Sequence, residues 1–393
     1  MEVKTKLSFE DTSVAFEAQS TAKLRQTYTL FALINRPWMV KVGTGAVKLA
    51  FQLGLPIKGV VKKTIYAHFC GGENIEESQP TVKQLADFHI GTILDFSVEG
   101  QEDEASYDAA MEETIRTIEA ADGNPAVPFS VFKVTGLGPT QLLVKVQAKG
   151  LLSEEEKAAW ERVQNRVERI CQRGFDLGVP IFIDAEETWL QQPIDMLANR
   201  MMSKFNKERA IIYNTYQLYA KASLENFKKD FDCAQQSGYY LGAKLVRGAY
   251  MEKERERAQE HGYDDPIQPN KAATDADYNR ALEFAMTNLK GMYICAGSHN
   301  EKSNLYLTEL MDKADIDAQD PRIFFAQLYG MSDHISYPLA KAGFNVAKYV
   351  PYGPVKKVMP YLFRRAEENT SVAGQSGREF TLVKKEMARR RRK

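Results

Sequence analysis

The chain has 393 residues, 44% hydrophobic and 26% charged, which is enough to bury a large core in one large domain or two average ones. Lys plus Arg and Asp plus Glu both number 52, so no net field draws it toward nucleic acid or an acidic membrane, and local charge must carry any such argument. Cys70, Cys171, Cys233 and Cys295 lie far apart with no C-x-x-C pair; this argues against a zinc knuckle or a disulfide framework and suits a reducing compartment.

The opening MEVKTKLSFEDTS lacks the apolar run of a secretory signal and is too acidic for a typical transit peptide. The most apolar early stretch, Trp38 to Val61, is interrupted by Lys41, Lys48, Pro56 and Lys58, so it does not read as a bilayer span. It reads as amphipathic helices packed on the main domain, with peripheral membrane contact as the lesser alternative. Residues 1–84 are expected to form an N-terminal helical arm.

From about residue 90 a rhythm sets in: a short β-rich apolar run ending in polar or glycine residues, then an amphipathic segment. The runs are 90–100, 129–136, 179–186, 209–217, 241–250, 292–300, 321–330 and 345–353. Their length and composition suit strands buried on both faces. Between them, Tyr107, Met111, Ile115 and Ile118 form one helical stripe and Trp160, Val163, Val167 and Ile170 another. Ser153 with Glu156 has the spacing of a capping box, and Pro354 stands where a first-turn proline is tolerated. Eight strand and helix units predict an α/β fold, a distorted (β/α)8 TIM-like barrel over 85–370. Residues 371–393 are expected to be a basic tail, and Arg389 to Lys393 a solvated end, with electrostatic membrane contact as the lesser alternative.

In such a barrel the chemistry sits at the carboxyl ends of the strands. Those ends offer Asp95 and Glu99, Lys133, Asp184 with Glu186 and Glu187, Gln217, Lys244 with Arg247 and Tyr250, Ser298 with His299 and Asn300, Gln327, and Tyr349. One such residue is readily a hydrogen bond that ends a strand; polar groups at all eight ends point to a site. Metal binding is disfavoured, because no two of the five histidines have ligand spacing. Cys70 and Cys295 lack a nearby base. Lys133 or Lys244 as a Schiff-base lysine remains open on pattern alone. A Rossmann turn is not supported: GTGAVK at 43–48 has no third glycine and follows no strand. On the last barrel helix Tyr361, Arg364, Arg365 and Glu368 share one face. The adjacent arginines make a fork for a carboxylate or phosphate, or else a solvated charged face.

The motifs FCGGE (69–73), LDFSVEG (94–100), FKVTGL (132–137), IDAEE (183–187), YNTYQLY (213–219), KLVRGAY (244–250), AGSHN (296–300), QLYGMSD (327–333) and YVPYG with YLFRRAEEN (349–369) occur in the order of the proline dehydrogenases, which the chain resembles from His68 to Asn369. The resemblance implies noncovalent FAD across the strand ends and oxidation of L-proline to 1-pyrroline-5-carboxylate by hydride transfer to flavin N5. Electrons would pass to a quinone or other acceptor, and the product to a separate pyrroline-5-carboxylate dehydrogenase. It assigns Lys133, Arg364 and Arg365 to the substrate carboxylate and Glu99 to the acid that pairs with the arginines. Leu328, Tyr349 and Tyr361 would wall the ring, and Asp184 and Lys244 would stand beside the reacting centre. Ala185, Gln217, Val246, Arg247, Gly248, Tyr250, Ser298, His299 and Glu368 match flavin contacts, with Lys271 and Thr274 near the dinucleotide part. Lys244 stands where bacterial members often carry arginine, and KLVRGAY resembles the eukaryotic-type branch. The implied location is cytoplasmic, peripheral on the inner face of a membrane, which in a eukaryote is the mitochondrial inner membrane. Two rivals remain: a methylenetetrahydrofolate-reductase-like flavin barrel using NAD(P)H, and a catalytically silent carboxylate-binding barrel.

Overall fold

The computed structural model describes residues 7–98, 102–371 and 375–392. Eight strands close in sequence order into a barrel. They are β1 (Ile90–Phe96), β2 (Phe129–Lys133), β3 (Ile181–Asp184), β4 (Ile212–Gln217), β5 (Leu241–Val246), β6 (Met292–Gly297), β7 (Ile323–Leu328) and β8 (Val346–Tyr352). Every expected run contains its strand, and helices fill the intervals. The chain divides into two compact units, Gly100–Ala326 and Met1–Glu99 with Gln327–Lys393.

In the first unit, β2 to β7 run parallel, with register partners Phe132↔Ile183, Ile183↔Asn214, Thr215↔Lys244 and Lys244↔Cys295. Side chains alternate across each strand, so Phe129, Val131 and Lys133 share one face of β2, and Phe182 and Asp184 one face of β3. On that face the aromatic rings form a floor. Phe129 stacks on Phe182 at 4.3 Å and meets Tyr213 and Phe324 edge-on at 5.6 and 4.8 Å. Gly242 makes room for this cluster: a Cβ there would lie 2.9 Å from Tyr213 Cγ and 2.3 Å from the Ile212 carbonyl oxygen.

The helix Glu154–Leu177 starts at the expected capping box. Ser153 Oγ accepts from the Glu156 N–H at 3.2 Å, and Glu156 Oε2 accepts from the Ser153 N–H at 2.7 Å. Its Val163, Val167 and Ile170 are buried, as their spacing predicts. Arg166 on the same helix is buried too; it donates to Asp108 at 2.7 Å and to Glu104, fastening the helix Glu104–Ala121 alongside.

In the second unit β1 and β8 pair in parallel from Ile90↔Val346 to Phe96↔Tyr352. Lys348 is fully buried, yet its Nζ donates to the Met331 carbonyl and to Asp333, both at 2.7 Å, so its charge is compensated. The N-terminal helices are α1 (Thr12–Ala15), α2 (Thr21–Ile34) and α3 (Pro37–Gln52), and two helices, Val355–Ser371 and Gln375–Arg391, close the chain. The basic end is not simply a solvated tail. Leu382 and Val383 pack with Ala15, Phe16 and Leu24, and Arg389 and Arg390 pair with the buried Glu386. Arg390 also donates to the carbonyls of Gln19 and Phe16 at 2.7 and 2.8 Å. Apolar neighbours, the Glu386 carboxylate and these backbone carbonyls hold the arginines there, which net charge along the sequence does not show.

Candidate active site

The carboxyl ends of β2, β3 and β5 converge on one carboxylate. Lys133 Nζ donates to Asp184 Oδ2 at 2.7 Å, and Lys244 Nζ donates to the other oxygen. Lys244 is buried and also lies 5.3 Å over the Phe182 ring. Burial alone would raise the Asp184 pKa, but the two ammoniums outweigh it and hold the group at about 2. Ionised, the trio carries a net charge of plus one. An incoming carboxylate would neutralise that charge.

Beyond β3 the chain turns through Ala185 to Glu186, fully enclosed by its neighbours. Its carboxyl accepts from Thr135 Oγ1 at 2.7 Å and from the Tyr250 hydroxyl at 2.9 Å, while its carbonyl accepts from Gln217 Nε2 at 2.6 Å. Burial raises its pKa to about 7, against the opposing pull of Lys133 and the two hydroxyls. A buried carboxyl that titrates near neutrality next to an ion-pair trio can hold or release a proton at working pH. Glu254 is also buried; it accepts from the Thr188 N–H at 2.7 Å and hydroxyl at 2.6 Å, and burial again raises its pKa.

After β5 the sequence VRG makes a second cluster. Arg247 lies 4.3 Å over the Tyr278 ring and donates to Asp275 at 2.7 Å, Ser298 Oγ at 2.6 Å and Ser303 Oγ at 2.8 Å. Lys271 pairs with the same Asp275 at 2.5 Å, and the buried Thr274 lies on the same first turn of the helix Lys271–Thr287. Ser298 Oγ accepts from the Asn300 N–H at 3.1 Å, next to the half-buried His299. Gly248 adopts φ 128°, and a Cβ there would fall 2.5 Å from the Tyr219 ring, so the backbone is laid flat on that ring with no room for a side chain. Val246 closes β5 beside Gln217. The cations and hydroxyls of this cluster are donors that suit the diphosphate of a flavin dinucleotide. The residues present fit FAD.

The other unit holds the remaining expected residues. Arg365 is buried with its guanidinium 5.1 Å over the Tyr361 ring, one helical turn away. Leu328 packs against the cluster that contains Tyr361, Leu362 and Met331, and Tyr349 is buried on β8, its carbonyl accepting from the Tyr329 N–H at 2.8 Å. Arg364, half-buried, precedes Arg365 on the same helix. Glu99 and the side chain of Glu368 lie outside the described residues.

The structure therefore brings Lys133, Asp184 and Lys244 together, and separately Arg247, Ser298 and, through Asp275, Lys271. Sequence reasoning left out Thr135, Asp275, Ser303 and Glu254, and placed Glu186 only at a strand end. Thr135 within FKVTGL and Asp275 four residues after Lys271 carried some signal. Glu254, inside MEKERERAQEH, carried none. Among the described residues no cluster of His, Cys, Asp and Glu could hold a metal ion.

A sequence-family model described as "Proline dehydrogenase" matches residues 78–378. "Proline dehydrogenase 1, mitochondrial" of Dictyostelium discoideum is 32% identical over 97% of this chain and 74% of its own length. "Carbapenem antibiotics biosynthesis protein CarD" of Pectobacterium carotovorum is 36% identical over 82% of this chain and 83% of its own. The human "Proline dehydrogenase 1, mitochondrial" is 42% identical over 63% of this chain, but only 42% of its own length is covered. Among solved structures, proline utilization A from Bdellovibrio bacteriovorus, inactivated by N-propargylglycine, superposes with a TM-score of 0.72 at 22% identity, over 93% of this chain and 38% of that one. The chain thus spans about two fifths of that longer protein, and the likeness is one of fold.

Proposed function

The chain belongs to the proline dehydrogenase family, and we propose that it oxidises L-proline to 1-pyrroline-5-carboxylate with noncovalent FAD. The observation that carries this reading is the Lys133–Asp184–Lys244 trio at the strand ends, a cationic group with Lys244 buried. When bound, FAD supplies the acceptor for the two electrons and the hydrogen that leave the carbon next to the ring nitrogen. Arg247, Ser298, Lys271, Gln217, Val246, Gly248, Tyr250, Ala185, Thr274, His299 and Glu368 would hold it.

The protein's own part is to place and charge the substrate. Lys133 draws the substrate carboxylate to the cationic trio, and Arg364 and Arg365 are proposed as the fork that fixes it. Glu99 pairs with that fork in this reading, and Leu328, Tyr349 and Tyr361 wall the ring methylenes. Asp184, kept ionised, fixes the positions of both lysines, so Lys244 presents a fixed positive charge beside the reacting centre. Oxidation requires a neutral amine, and the ammonium proton must leave first. Glu186, poised near neutrality, supports the reading that this region of the site accepts protons.

The reduced cofactor would pass its electrons to a quinone, and a separate dehydrogenase would take the product. The mitochondrial names of the relatives support a place in that organelle or its bacterial counterpart, and the proposed quinone acceptor makes it a peripheral place at a membrane there. The test is anaerobic addition of L-proline to the purified yellow protein. Bleaching of the visible flavin absorbance is expected; protein that stays colourless after FAD is added, or flavin that bleaches with NADH and not with proline, refutes the reading.

A further inference from the structure

Helix α3 is apolar on two opposite sides. Val40, Val47 and Phe51 recur at helical spacing and pack against the buried cluster of Ile34, Val61, Tyr66 and Phe69. Trp38, Val42 and Leu49 recur on the opposite side and face water, with Trp38 64% exposed, and Leu53 just past the helix end is 66% exposed. A surface helix ordinarily turns polar residues outward; this one turns out a tryptophan and a row of aliphatic side chains. Leu33, Leu55 and Val60 extend the patch. Among the described residues, seven of the twelve exposed large hydrophobics fall between 33 and 60, a concentration that scattered surface hydrophobics do not produce.

The charge around the patch is one-sided. Between Glu17 and Glu73 the sequence has no acidic residue and eight lysines and arginines, in a chain without net charge. Lys58 and Lys62 pair with Glu73, but Arg36, Lys41 and Lys63 stand exposed within this acid-free stretch, and Lys41 is one turn from Trp38. Among the described residues no helix is long and apolar enough to cross a membrane.

We propose that α3, with the turn that follows it to Val60, is a docking element that lies in the plane of a bilayer bearing anionic lipids. Trp38, Val42, Leu49 and Leu53 enter the boundary between headgroups and acyl chains, and the basic residues meet lipid phosphates, their stems lying along the apolar surface. A second copy of the chain fits worse. In a two-fold contact each patch would face its own image, bringing basic rim against basic rim. This assignment deepens the peripheral placement proposed above and is independent of the catalytic reading, because vesicle binding and flavin bleaching are separate measurements.

The test is co-sedimentation of the full chain with phosphatidylcholine vesicles, with and without about 30 mol % phosphatidylglycerol. The wild type should sediment with the anionic vesicles and less so as salt rises. The double variant Trp38→Glu/Leu49→Glu should lose about tenfold in binding while keeping its melting temperature and its bleaching by proline. If that variant does not fold, Leu53→Ser, at an exposed position beyond the helix, should still lose a few-fold. Equal sedimentation of wild type and variants, or none of the wild type with anionic vesicles, overturns the proposal. So does a lipid-free dimer, seen by light scattering, that the double variant dissociates.

Discussion

Lys133 and Asp184 stand directly opposite one another in the register of β2 and β3, and their side chains meet at 2.7 Å. Lys244, the in-register partner of Thr215 on β4, takes the remaining oxygen. Asp184→Asn would leave Lys244 buried against a neutral amide. We expect a loss of about 3 kcal/mol in urea unfolding and roughly a 100-fold fall in kcat/KM for proline. A variant as stable and active as the wild type would show that the trio is ornamental. The Asp184 pKa is depressed, so its contribution is complete above the ordinary carboxylate range near 3.8 and is lost as pH falls through about 2.

Glu186 behaves in the opposite sense. Its pKa is raised to about 7 by burial, so between the ordinary 4.5 and 7 the folded protein binds more protons than the unfolded one. Stability from this group therefore falls as pH rises through that window. Glu186→Gln should remove the fall, making the variant more stable relative to wild type at pH 8 than at pH 5 by about 1 to 3 kcal/mol. Urea midpoints at the two pH values decide it, and parallel curves would contradict the assignment.

Arg365 lies over the Tyr361 ring one turn away on the same helix, an arrangement that fixes the guanidinium plane. For Arg365→Met we expect KM for proline to rise by roughly 100-fold with the flavin retained. Unchanged proline affinity, measured by titrating the flavin spectrum, would remove this residue from the carboxylate fork.

Gly248 has neither the dihedral nor the space for a side chain. Gly248→Ala should therefore push the backbone off Tyr219 and release the cofactor. The ratio of flavin to protein absorbance after gel filtration should drop several-fold, about as much as a 1 to 2 kcal/mol loss of affinity implies. A fully yellow variant would place the flavin elsewhere.

The eight strands were legible because each is a short run of apolar residues closed by polar or glycine residues, and the barrel order follows from strict alternation with helices. The capping box of Ser153 and the buried stripe Val163, Val167 and Ile170 were equally plain, since local spacing determines both. Strand ends were not: β1 stops at Phe96 and β6 at Gly297, and after Lys133 the chain passes into a 3-10 turn at Val134–Gly136, and nothing in composition marks those points. Glu254 was invisible for a deeper reason. Its segment is charged throughout, and only the fold shows that this one carboxylate turns inward to Thr188. The same holds for Glu379, which accepts from the buried Ser332 N–H at 2.6 Å, a partner 47 residues away.

Arg390 reaches the Phe16 carbonyl across a sequence separation of 374. On the ribosome, α1 and α2 emerge long before the helix Gln375–Arg391 that they pack on. Phe16 and Leu24 must wait, uncovered, until Leu382 and Val383 follow. A chain released before Gln375 would thus carry a sticky α1–α2 segment, a target for chaperones.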